Sequence, residues 1–153
     1  MFERTISVVD LKGNKRDVTM YFNLGKHELT EINEQFLDPE SGEGLVETMQ
    51  RAMDTKDSFT ILKSLKKLML MAYGKISPDG LGFLKFDPQT GHKYADDFVQ
   101  SVAFDDYYYM ICKNPDEASA FFNNLIPKEM LDDIKKAKAL EDARKKAAEE
   151  SNA

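Results

Sequence analysis

The chain has 153 residues, 42% hydrophobic and 31% charged, with a net charge of −6; that suits one compact domain with a well-solvated surface. No apolar run approaches the roughly 18–20 residues that span a bilayer, because the longest, Leu65 to Tyr73, is broken by Lys66 and Lys67. The acidic balance argues against nonspecific binding to nucleic acid, which needs clustered cations.

Phe2, Ile6 and Val8 alternate with polar residues, Lys12-Gly13-Asn14 supplies turn chemistry, and Val18, Met20 and Phe22 alternate again, which predicts a β-hairpin. Gly13 and Asn14 both tolerate the positive φ that tight hairpin loops use. Two strands alone are marginal in water, so their apolar face is expected to lie on helices. Leu29, Ile32 and Phe36 then recur at helical spacing, with Asn23 or Gly25 as N-cap, before a loop at Pro39, Gly42 and Gly44. A second helix carries Leu45, Met49, Ala52 and Met53. The third, from about Asp57 to Tyr73, has the strongest signal: Leu62, Leu65, Met69 and Ala72 form a stripe that Ile61, Leu68, Leu70 and Met71 widen. So wide an apolar surface places this helix at the centre of the core, and Gly74 is positioned to end it.

Ser77-Pro78-Asp79-Gly80 predicts a type I turn, Phe83 to Phe86 a short extended piece, and Asp87 to Gly91 a further loop. Phe98, Val102 and Tyr109, with Phe104, Tyr108 and Ile111, predict one helix near residues 93–112. Asn114 as N-cap, Pro115 at the first helical position and acids behind it predict another, carrying Ala118, Phe121, Phe122 and Leu125 and stopping before Pro127. From Lys128 onward seven basic and seven acidic residues cancel, so the whole net charge sits on residues 1–127. Met130, Leu131, Ile134 and Leu140 are the only large apolar residues there. Asp132–Lys136, Glu141–Lys145 and Asp142–Lys146 are favourable i, i+4 pairs, so a protruding helix that frays toward its end is expected. The fold class is therefore mainly α, within α+β: an N-terminal hairpin on a bundle of about five to six helices, then a protruding C-terminal helix. Residues 1–127 form the predicted domain, and residues 128–153 a charged, partly disordered helical segment.

The chemistry of catalysis is missing. His27 and His92 stand in unrelated segments without ligand spacing, and read as surface residues rather than metal ligands. Asp87-x-Gln89-x-Gly91 departs from a calcium loop at His92 and Phe98. Gly80-Leu81-Gly82 lacks the third glycine of a dinucleotide turn. Asp96-Asp97 and Asp105-Asp106 diverge by about 100° on a helix and read as solvated faces. The lone Cys112 excludes an internal disulfide and reads as a small buried hydrophobe. Nothing assembles a nucleophile, base and oxyanion site, so no enzyme, cofactor or metal is expected. Tyr107-Tyr108-Tyr109 cannot all face one core, so at least one is exposed, serving either an interface or plain packing.

Met20-Tyr21-Phe22-Asn23-Leu24-Gly25-Lys26-His27-Glu28-Leu29 resembles the strand-into-helix opening of bacteriophage tail assembly chaperones. Gly44 to Gln50, Ala72-Tyr73-Gly74 followed by Ser77-Pro78-Asp79-Gly80, Phe83-Leu84-Lys85 and Phe98 to Ser101 are similar to that family's segments, in matching order. So are Asn114 to Ala118 and Phe121 to Pro127, which extends the likeness over Val18 to Pro127. Gly25 departs from the usual hydroxyl cap. The stretch Phe86 to Tyr94 is an insertion expected to lengthen a loop without touching the helices.

The resemblance implies a protein of long-tailed phages that binds the tape measure protein, keeps it soluble and promotes tail-tube polymerisation. Partner-binding residues would include Tyr107, Tyr108, Tyr109, Phe121 and Phe122. The tail tube protein and a second copy of the chain are further candidate partners, and neither nucleic acid nor membrane is expected. Met1-Phe2-Glu3-Arg4 lacks the order of a signal peptide, so the expected place of action is the host cell cytoplasm, with the protein absent from the mature virion. Many such phages also make a frameshifted longer product, which the weakly apolar stretch after Leu140 would tolerate. The alternative is a structural virion component, a connector or tail-completion protein.

Overall fold

The structure, a computed structural model, describes residues 1–35, 40 and 42–151. β1 (Phe2–Val9) and β2 (Lys15–Phe22) form the predicted hairpin, in antiparallel register from Phe2 opposite Phe22 to Val9 opposite Lys15. Strict alternation turns Ile6, Val8, Met20 and Phe22 to one buried face. Gly13 takes φ +86° at the turn, while Asn14 keeps a negative φ. The Asp10 carboxylate closes the turn by accepting from the Lys12 and Asn14 N–H groups, each at 2.9 Å.

The sheet continues beyond the hairpin. β3 (Tyr73–Ile76) pairs with β2, and β4 (Phe83–Leu84) pairs with β3, in the antiparallel order β1-β2-β3-β4. The extended piece at Phe83 is thus a strand, whereas β3 was not foreseen. Gly74 does not cap a helix: it lies in β3 opposite Tyr21, where a Cβ would come within 2.3 Å of the Leu84 carbonyl oxygen. Close backbone approach therefore demands this glycine. The Ser77–Gly80 turn joins β3 to β4, closed by a 2.9 Å bond from the Gly80 N–H to the Ser77 carbonyl.

Seven helices stand among the described residues: α1 (Lys26–Gln35), α2 (Leu45–Thr55), α3 (Ser58–Ala72), α4 (Tyr94–Phe98), α5 (Val102–Lys113), α6 (Pro115–Leu125) and α7 (Lys128–Ser151). In α1, Gly25 is the cap, and the Glu28 carboxylate reaches back to its N–H at 3.2 Å. Phe36 and Pro39 lie outside the described residues, as does the side chain of Ile134. Gly44 precedes α2 without a capping side chain, and Asn33 of α1 substitutes for one by accepting from the Val46 N–H at 3.1 Å. Asp57 caps α3 by accepting from Thr60. Asn114 caps α6, with Pro115 and the acids in the predicted places.

The single helix expected near residues 93–112 is two. Ser101 takes an extended conformation (φ −90°, ψ 155°), and its hydroxyl accepts from the Phe104 N–H at 3.2 Å, starting α5 afresh. The break resets the helical phase, so Ala103, Phe104, Tyr107 and Ile111 are the buried residues of α5. The insertion also reaches a helix, because Tyr94 opens α4 and Lys75 Nζ sits 4.4 Å from its ring centroid.

Phe22 centres the core. Rings of Phe2, Tyr73, Phe98, Tyr107 and Phe121 surround it, with centroids 5.2 to 6.3 Å away. Tyr73 and Phe98 stack in parallel at 3.9 Å. Leu65, Leu68, Met69 and Ala72 bury α3 as its wide apolar surface requires. α7 joins this body through half-buried Met130 and Leu131 and an ion pair from Lys26 to Glu129 at 2.9 Å. Its described side chains beyond Leu131 are exposed.

Candidate partner-binding surface

Tyr107, Phe121 and Phe122 have no solvent exposure at all. They are core, not a docking face, because the reset phase of α5 and the inward stripe of α6 turn them toward Phe22. Phe121 meets Phe22 edge-on at 5.2 Å. Tyr108 is half-buried, stacked on Phe104 at 5.7 Å. Tyr109 is 60% exposed, with Lys113 Nζ 4.6 Å from its ring centroid. Of the five residues expected at a partner interface, Tyr109 is exposed and Tyr108 half-buried.

Burial raises the Tyr107 phenol well above its ordinary value of 10.0; the Glu117 charge adds to that and the Arg4 charge opposes it. Arg4 and Glu117 form an ion pair with each other. The Tyr107 hydroxyl has no hydrogen-bond partner among the described residues. Tyr107 thus behaves as a neutral core aromatic.

Other apolar side chains face solvent. Phe59 is 78% exposed on α3, Leu11 92% at the hairpin tip and Leu81 90% in the β3–β4 turn. Phe59 had a readable signal: it falls off the apolar stripe of its helix and shares a face with Lys63 and Lys66, at i, i+4 and i+7. Cys112, expected to be buried, is exposed, since the reset phase turns it away from the Tyr107–Ile111 stripe.

Leu11 lines one groove and Cys112 another. The first, of about 530 Å³, lies between the hairpin, β3 and the α4–α5 corner, floored by Val8, Val18, Tyr73 and Phe98. Several of its charges are engaged within the chain: Arg16 lies 3.8 Å from Asp10, Asp97 is 2.9 Å from His92, and Lys75 covers Tyr94. The second, of about 430 Å³, runs between the α2–α3 corner and α5–α6, lined by Met53, Ile61, Leu62, Ile111, Cys112 and Ala118, with Lys56 at its rim. Lys56, Lys63 and Lys66 are exposed and have no ion-pair partner among the described residues.

Among the described residues no His, Cys, Asp or Glu group could hold a metal ion, and no described helix is long and apolar enough to cross a membrane. His27, Asp96, Asp97, Asp105 and Asp106 are exposed, as solvated positions should be.

The model of the family described as phage tail assembly chaperone matches residues 1–153. Neither a curated protein nor a solved structure matches the chain. A match that runs the whole length, over segments whose collinear likeness already pointed there, makes the chain a member of the phage tail assembly chaperone family.

Proposed function

We propose that this protein holds the tape measure protein during tail assembly, acting by reversible binding without catalysis. The observation that carries this reading is the placement of large apolar side chains on a body whose core is already closed. Phe59, Leu11, Leu81 and Tyr109 stay 60 to 92% exposed while Phe22, Tyr107 and Phe121 are sealed. Exposed apolar side chains scattered singly are ordinary, but four large ones on a closed body leave apolar area available to a guest. Each buried Å² of apolar surface contributes about 25 cal/mol to binding before the cost of ordering. A few such side chains give reversible attachment rather than a permanent interface.

A reversible holder shields the apolar stretches of a long guest until tail-tube subunits cover them. It acts in the host cytoplasm and leaves before the particle is complete. The test is co-expression: the tape measure protein made with this chain is expected in the soluble fraction, and made alone in the insoluble one. Equal insolubility in both cases would contradict the proposal.

A further inference from the structure

We infer that the free edge of β1 is the seat for one extended segment of the guest, which adds to the sheet as a further strand. The inference rests on the tape-measure reading above and assigns it a place.

The hairpin register shows which backbone groups are free. The Asp10 N–H donates to the Asn14 carbonyl at 2.8 Å, so these two residues form a bonded pair at the head of the ladder. Bonded and non-bonded pairs alternate between antiparallel strands. Phe2, Arg4, Ile6 and Val8 therefore bond to β2, while Glu3, Thr5, Ser7 and Val9 turn their N–H and C=O groups away from it. β2 obeys the same parity, since the Asn23 N–H points away from β1 to the Ala72 carbonyl at 2.9 Å. Among the described residues no backbone group pairs with the outward row of β1. One side chain reaches it, Arg4 donating from Nη1 to the Thr5 carbonyl at 2.8 Å, and that oxygen keeps a second lone pair.

Folded proteins commonly blunt such an edge with short length, proline, lysine or a bulge. β1 has none of these over its eight residues, and its register with β2 is unbroken. By contrast, β4 at the opposite edge is two residues long, and the part of β2 that runs past β3 carries Lys15, Arg16 and Asp17. Arg4 faces inward, where Glu117 takes up its charge at 2.5 Å.

A row of unpaired donors and acceptors is met by an extended chain and by no helix, whose own groups are bonded internally. A second copy does not fit. Odd-numbered residues would face outward in both copies, so two-fold pairing would set both bodies of helices on one face of the sheet, with the two β1 strands about 4.8 Å apart. α5 and α6 pack on β1 itself, and packed helices need roughly 8–10 Å between their axes. A segment without helices of its own meets no such obstacle. Its paired positions exclude proline, which lacks the N–H. On the open face it lies beside Glu3, Thr5 and Ser7, and on the other beside Arg4 and the half-buried Met110 that Arg4 touches at 3.6 Å. Polar side chains alternating with apolar ones suit that setting.

Residue-resolved hydrogen exchange of the full chain, free and in complex with co-expressed tape measure protein, tests this. The Thr5, Ser7 and Val9 amides are expected to exchange fast in the free chain and several-fold slower in the complex, while those of Arg4, Ile6 and Val8 are protected in both. Co-expression gives a second readout. Ser7→Pro removes an outward N–H without breaking a bond to β2, and is expected to lower soluble tape measure several-fold, whereas Ser7→Ala and the distant Leu81→Ser keep the wild-type yield. Circular dichroism should show Ser7→Pro folded; if it is not, the wild-type exchange pattern decides alone. Full rescue by folded Ser7→Pro, or outward amides that exchange in the complex at the free rate, would overturn the edge assignment and leave the chaperone reading intact. Outward amides already protected in the free chain as its concentration rises would give the edge to a second copy and overturn the assignment too. Failure of wild type to rescue would overturn both.

Discussion

Tyr107 and Tyr109, two positions apart on α5, divide the roles of the tyrosine run. Tyr107 is sealed beside Phe22 with its hydroxyl unpartnered among the described residues, and a buried polar group without a bond costs free energy that an isosteric apolar replacement does not. Tyr107→Phe is therefore expected to leave stability unchanged or raise it by about 1 kcal/mol, measured by urea unfolding at neutral pH. A loss beyond that would mean the hydroxyl is bonded. The sign in alkali follows from the raised phenol. The native state keeps the proton while the unfolded chain releases it near 10.0, so this contribution is complete below that pH and is lost as pH climbs above it. Tyr107→Phe should flatten the alkaline fall in stability. Tyr109, with its ring in solvent, should tolerate Phe or Ser without a change in melting.

Local patterns carry the elements that sequence alone predicts, and tertiary partners carry the rest. The hairpin, α3 and α6 are legible because alternation, a wide apolar stripe and an Asn-Pro start each act within a few residues. β3 is not, since the glycine after Tyr73 reads as a helix stop until Leu84 is known to press against it. The α4–α5 break is equally hidden, because Ser101 can sit inside a helix or cap one. Missing that break left Tyr107 off the expected apolar stripe, whereas Cys112 is expected inside on the packing preference of a free cysteine and is exposed instead. The cap of α2 comes from another helix altogether, so it was invisible to a reading of neighbours. Asn33→Ala should cost about 1 kcal/mol in denaturant unfolding, while a Gly44→Ala change should displace Asn33, whose amide would lie 2.0 Å from the new Cβ. If Asn33→Ala unfolds at the wild-type midpoint, the inter-helix cap contributes nothing.

At the scale of the molecule, a closed aromatic core supports exposed apolar side chains and a long helix whose described side chains meet the body at its start. Met130, Leu131 and the Lys26–Glu129 pair are the anchors of α7, and an exposed pair of that kind contributes little. Removing residues after Leu140 should leave the thermal midpoint within about 2 °C of wild type, and a larger fall would show that the distal helix packs on the body. The family match spans the whole chain, and the proposal that this body holds a guest and then releases it rests on its exposed apolar side chains. Mass spectrometry of tail assembly intermediates and of mature virions tests that claim most directly. The expected result is this chain together with the tape measure protein on intermediates and its absence from finished particles. Its retention in mature virions at a fixed copy number would contradict the account and make it a structural part of the tail.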